Sequence, residues 1–101
     1  MTNFPLGKPI LREMGGDMRI NEFTIPTRTY DAISRYVNQR IATGDFLRAV
    51  LTNNLKSAVH HGDAYNLECL VDIVKVIYNY APSTCWGDED KVYRWLSGAE
   101  E

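Results

Sequence analysis

The sequence predicts an all-α fold: a compact bundle of three main helices plus a short C-terminal helix, preceded by an extended or weakly β N-terminal arm. Three observations predict it. From about position 27 onward, apolar residues recur at spacings of three and four, the period that gathers side chains on one face of a helix. Glycine–aspartate pairs at Gly44-Asp45, Gly62-Asp63 and Gly87-Asp88 punctuate that region. In each pair glycine supplies a left-handed stop, and aspartate caps the free amides of the next first turn. The chain has 101 residues, 45% hydrophobic and 24% charged, which suits one globular domain with one core.

The elements follow in order. Residues 1–25 hold Pro5, Gly7, Pro9, Gly15 and Gly16 and show no helical period. They read as an arm, with Gly15-Gly16 as a turn between weak strands at 10–14 and 18–23. The run from Glu13 to Met18 is also what a purine-rich ribosome-binding site before a start codon encodes when translated. On that reading, residues 1–17 are an over-called leader and the native start is Met18. Residues 26–101 form a single helical domain. The first helix spans 27–42 with Tyr30, Ile33, Val37 and Ile41 inward. The second spans 45–60 with Leu47, Val50, Leu51 and Ala58 inward. The third spans 63–80 and has the widest apolar stripe (Leu67, Leu70, Val71, Val74, Ile77, Tyr78, Ala81), so it should be the most buried. Pro82 ends it. The fourth spans 88–97 and opens on Asp88-Glu89-Asp90, as the positive end of a helix dipole favours.

Net charge is −2, distributed as +3 over residues 26–60 and −5 over 61–101. An acidic chain lacks the nonspecific grip on phosphate backbones that nucleic-acid binders need, so DNA binding ranks last among the readings. Two cysteines, Cys69 and Cys85, are too few for a disulfide scaffold and read as reduced thiols. No segment approaches the about 20 apolar residues of a membrane span. The expectation is a cytoplasmic protein without a membrane contact.

Few residues suggest chemistry. There is no glycine-flanked serine, Gly-rich phosphate loop or spaced pair of histidines, so neither catalytic residues nor a cofactor are expected. His60-His61 with Cys69 and Cys85 match no zinc spacing, and no metal is expected. Arg48, Thr52, Lys56 and His60 lie four apart on the second helix as a basic ridge. Asn54 falls within that helix's apolar stripe, where a buried amide needs hydrogen-bond partners. Asn54 is then either a structural tie or the floor of a pocket. With the ridge, it suggests a binder of a small anionic nucleotide ligand, built as a homo-oligomer because one small domain offers little enclosed volume. Trp86, Tyr93 and Trp95 crowd the C-terminal region. They either clamp the last helix or form an aromatic surface for a protein partner.

Two phrases carry a resemblance. Thr43-Gly44-Asp45-Phe46-Leu47-Arg48-Ala49-Val50-Leu51 with Asn53 has the form TG-x-FL-x-AVL-x-N. Ala81-Pro82-Ser83-Thr84-Cys85-Trp86-Gly87 has the form AP-x-x-CWG. Together they resemble a group of small uncharacterised proteins encoded by bacteriophages and prophages, over about residues 25–96. Relatives often carry an acid where this chain has Asn54. The resemblance implies a phage accessory gene product acting in a bacterial host cell. It implies no mechanism. By analogy of gene context, such a product binds a host or phage protein, modulating host defence or metabolism without being an enzyme.

Overall fold

The computed structural model describes residues 17–98. Two short strands, β1 (Asp17–Ile20) and β2 (Phe23–Pro26), form an antiparallel hairpin with Ile20 opposite Phe23 and Met18 opposite Ile25. The turn of this hairpin lies at Asn21-Glu22, within the stretch 18–23 that was expected as one strand. A two-residue hairpin loop needs positive φ at its first position. Asn21 supplies it (φ 54°), as asparagine tolerates the left-handed region better than other side chains. The expected strand 10–14, the Gly15-Gly16 pair and all of the suggested leader except Asp17 lie outside the described residues. Ile20, Phe23 and Ile25 are buried in the same core as the helices. The Thr24 amide donates to the Asp72 carboxylate (3.1 Å), and the Asn21 side chain hydrogen-bonds the Tyr80 hydroxyl.

Six helices and one 3-10 turn follow: α1 (Thr27–Gln39), α2 (Asp45–Leu51), α3 (Leu55–His61), α4 (Ala64–Glu68), α5 (Leu70–Tyr80), the 3-10 turn Ser83–Cys85, and α6 (Glu89–Ser97). The described chain is thus mostly helical with a small N-terminal sheet. None of these helices is long and apolar enough to cross a membrane. Helix α1 stops before Ile41 because Arg40 adopts a left-handed cap (φ 58°), its amide donating back to Arg35 and Tyr36 carbonyls. Arg40 is held there from the side chain outward. Its guanidinium donates to the Trp95 carbonyl (2.9 Å) and lies 3.8 Å over the Trp95 ring.

Both of the next two expected helices are interrupted. The 45–60 helix divides at Thr52-Asn53-Asn54, where Asn53 takes φ 64° and Asn54 becomes the N-cap of α3. The 63–80 helix divides at Cys69. The Asp63 and Asp88 caps are present, accepting from Asn66 N and Lys91 N at 2.8 Å each. Gly62 corrects the punctuation argument. Its φ is −76°, so it is no left-handed stop. A Cβ there would sit 2.9 Å from Leu67 Cδ2 and from the Phe46 ring. Gly62 is small because two core side chains close over it. Gly44 likewise has φ −76°, and Asp45 is the first residue of α2, with no side-chain cap there.

Candidate docking groove

The kink between α2 and α3 opens a groove against α5. Its walls are Val50 and Ala58 on one side and Leu70, Val74 and Ile77 on the other, with Trp86 closing one flank and Asn53 and Asn54 at the rim. It holds a cavity of about 90 Å³, and none of the described residues that line it is charged. Around it the molecule leaves large apolar side chains in solvent: Leu55 68% exposed, Val71 64%, Val74 43% and Tyr78 68%. Val71, Val74 and Tyr78 were expected in the core. Helix α5 instead turns Ile73, Val76 and Ile77 inward. It is apolar nearly all round, so periodicity alone does not select its buried side.

The two sequence phrases meet here. In the first, Phe46, Leu47, Ala49 and Leu51 are buried, Val50 lines the groove, and Asn53 makes the left-handed turn that ends α2. In the second, Pro82 follows the end of α5 and Cys85 is buried. Gly87 takes φ 128°, a conformation strained for any residue with a Cβ. Its amide donates to the Leu51 carbonyl (2.7 Å), and the Tyr36 hydroxyl donates to the Cys85 carbonyl (2.7 Å). These two bonds bracket Trp86 and fix it at the groove. Its ring meets Tyr78 edge to face, centroids 5.8 Å apart. Its indole Nε1 is buried without a hydrogen-bond partner among the described residues.

The other candidate residues separate. Asn54 is exposed, not in an apolar stripe, and its Oδ1 accepts from Ser57 N (3.1 Å). Its structural role is the N-cap of α3. Asn54→Ala is expected to cost about 1 kcal/mol, read as a lower urea midpoint. An unchanged midpoint would remove Asn54 as the cap. The basic ridge does not persist as a ridge, because the kink falls within it. Arg48, Thr52 and Asn54 border a shallow polar cleft of about 200 Å³ with Ser57 and His61, while Lys56 and His60 lie outside it. Asp45 and Glu89 share that cleft, and their carboxylates oppose an anionic ligand. The Thr52 hydroxyl donates back to the Arg48 carbonyl (2.9 Å). Of the three aromatics, Trp86 lies at the groove and Tyr93 is exposed on α6. Trp95 is half-buried and clamps α6 onto α1, its indole donating to the Tyr36 carbonyl (2.8 Å).

Both cysteines are free thiols. Burial pushes Cys85 up to about 12. Burial and the nearby Asp17, Asp72 and Glu68 carboxylates raise Cys69 as well. Neither has the lowered pKa of a reactive nucleophile. Comparison with protein-family models, with curated proteins and with solved structures finds no match to this chain.

Proposed function

We propose that this protein is a non-enzymatic binding module whose partner is another protein, seated over the groove between α3 and α5. One observation carries the reading: a contiguous apolar surface formed by Leu55, Val71, Val74 and Tyr78, left in solvent beside an apolar cavity. Small proteins rarely expose such a patch without using it. Burying the part of these four side chains that is still exposed contributes roughly 4–7 kcal/mol gross. That is of the same order as the about 4–15 kcal/mol lost on association, so a partner binds only if it fills the cavity well. The resemblance of the two phrases to phage-encoded proteins supports an accessory role, with a host or phage protein as the partner and host defence or metabolism as the process modulated. The carboxylates beside Arg48 favour this reading over an anionic nucleotide ligand.

The test compares the wild-type chain with a Leu55→Asp/Val71→Asp variant as bait in a bacterial lysate. Both positions are exposed, so circular-dichroism melting should stay unchanged. The expected result is a stoichiometric partner retained by the wild type and reduced at least tenfold on the variant. Equal retention by both, or no stoichiometric partner on either, would sink the proposal.

A further inference from the structure

We infer that the groove's occupant is an acidic amphipathic helix that seats one aliphatic side chain in the cavity; this rests on the reading of the groove as a protein-docking site. The form of the occupant follows from the walls. Both are helices, whose backbone groups are already paired within α3 and α5, so the groove offers no strand edge for an extended peptide. A segment entering it must satisfy its own amides and carbonyls, which a helix does. Val71, Val74 and Tyr78 stand at i, i+3 and i+7 on α5, one continuous ridge. Leu55 and Val59, at i and i+4, are both exposed on α3. Helix-in-groove recognition uses such facing ridges.

The anchor follows from the cavity. The cavity of about 90 Å³, lined by Val50, Ala58, Leu70, Val74 and Ile77, suits a single aliphatic side chain. The amides at the rim, Asn53 and Asn54, face solvent and do not ask for a charge in the cavity.

The charge follows from the flanks. Lys75 shares the outward side of α5 with Val71 and Tyr78 by helical spacing, and Lys56 follows Leu55 on α3; both are exposed. The ion pair recorded among the described residues joins Arg94 to Asp90, so neither lysine is neutralised by one. Asp72, the nearest acid in sequence to Lys75, keeps its charge but is directed at β2, where it accepts from the Thr24 amide. A partner with glutamates or aspartates along the edges of its apolar face complements both lysines. A second copy of this chain does not: a two-fold interface would lay a lysine-bearing face on itself.

A display library of helix-forming 20-residue peptides, panned on the full chain, tests this without presuming a partner. Recovered peptides should carry aliphatic residues at i, i+3 or i+4, and i+7, flanked by acids. Their affinity should fall at least tenfold on Val74→Glu and at least fivefold on Lys56→Glu/Lys75→Glu, a surface variant that leaves the core untouched. Peptides with lysine in place of glutamate should regain binding to the charge-reversed protein. Binders that need Val74 but are neutral or basic, or that ignore the lysine reversal, overturn the inference and leave the docking groove standing. No binders, or binders indifferent to both variants, overturn both. A wild-type dimer that Val74→Glu renders monomeric in sedimentation names a second copy as the occupant. An intrachain cross-link from Lys8 to Lys56 or Lys75 names the chain's own first residues. Either result also overturns the inference.

Discussion

Tyr36→Ala should lower the stability of this protein by about 3–5 kcal/mol, a large part of the about 5–15 kcal/mol that holds a typical domain folded. Tyr36 is fully buried on α1. It is the point where three distant segments join. Its hydroxyl donates to the Cys85 carbonyl, and its own carbonyl accepts from the Trp95 indole. Its ring packs 6.5 Å from that of Trp95. Tyr36→Phe keeps the ring and removes only the hydroxyl, leaving the Cys85 carbonyl without that donor. About 1–2 kcal/mol is expected from that change. Urea unfolding followed by tryptophan fluorescence separates the two. A phenylalanine variant as unstable as the alanine variant would show that the hydroxyl, not the packing, dominates. Two variants of wild-type stability would remove Tyr36 as the joint.

Stability should also collapse on the alkaline side. Burial holds the Cys85 thiol at about 12, against an ordinary value of 9.0. In the unfolded chain the thiol loses its proton near pH 9; in the folded chain it keeps it. The folded state then binds more protons, so its stability is whole below pH 9 and is lost as pH rises from 9 towards 12. The slope approaches about 1.4 kcal/mol per pH unit from this group alone. Burial raises the Tyr36 phenol in the same direction, which steepens the loss above pH 10. Urea midpoints at pH 8, 9, 10 and 10.5 should fall accordingly. Cys85→Ala should flatten the curve between pH 9 and 10.5 while keeping the part contributed by Cys69, which is also raised. An identical slope with and without Cys85 would refute this assignment.

The elements bounded by strong local chemistry were legible in the sequence. Asp88 caps α6 and Asp63 caps α4 because a carboxylate at that position meets free amides whatever surrounds it. The break at Asn53-Asn54 was hidden by its own periodicity. Ala58 remains buried after the kink, so the apolar spacing runs on through it. The overlooked signal was the pair itself: asparagine is both a ready left-handed residue and a good N-cap, and two in succession provide the stop and the start. The groove was legible in part. The sequence marks Trp86, but with Tyr93 and Trp95 as companions and not Val74 and Tyr78. Helix α5 offers an apolar residue in every direction, and the side that faces inward is set by β2, which lies far away in sequence. The bond from the Thr24 amide to Asp72 spans 48 positions, and local pattern carries no information over that distance.

That same bond has a consequence for the chain as it leaves the ribosome. Helices α1 and α4 also pack on the hairpin, but the cover over Ile20, Phe23 and Ile25 is complete only when α5 has been made. At roughly 5–20 residues per second, the 48 positions between Thr24 and Asp72 take about 2–10 seconds to translate. Closure of α6 waits longer still, because the Trp95 indole must reach a carbonyl 59 positions behind it. During that interval the nascent hairpin presents its oily side to the crowded space outside the exit tunnel. Slower codons between Thr24 and Asp72 would lengthen this vulnerable window, and a holdase chaperone would find its substrate there.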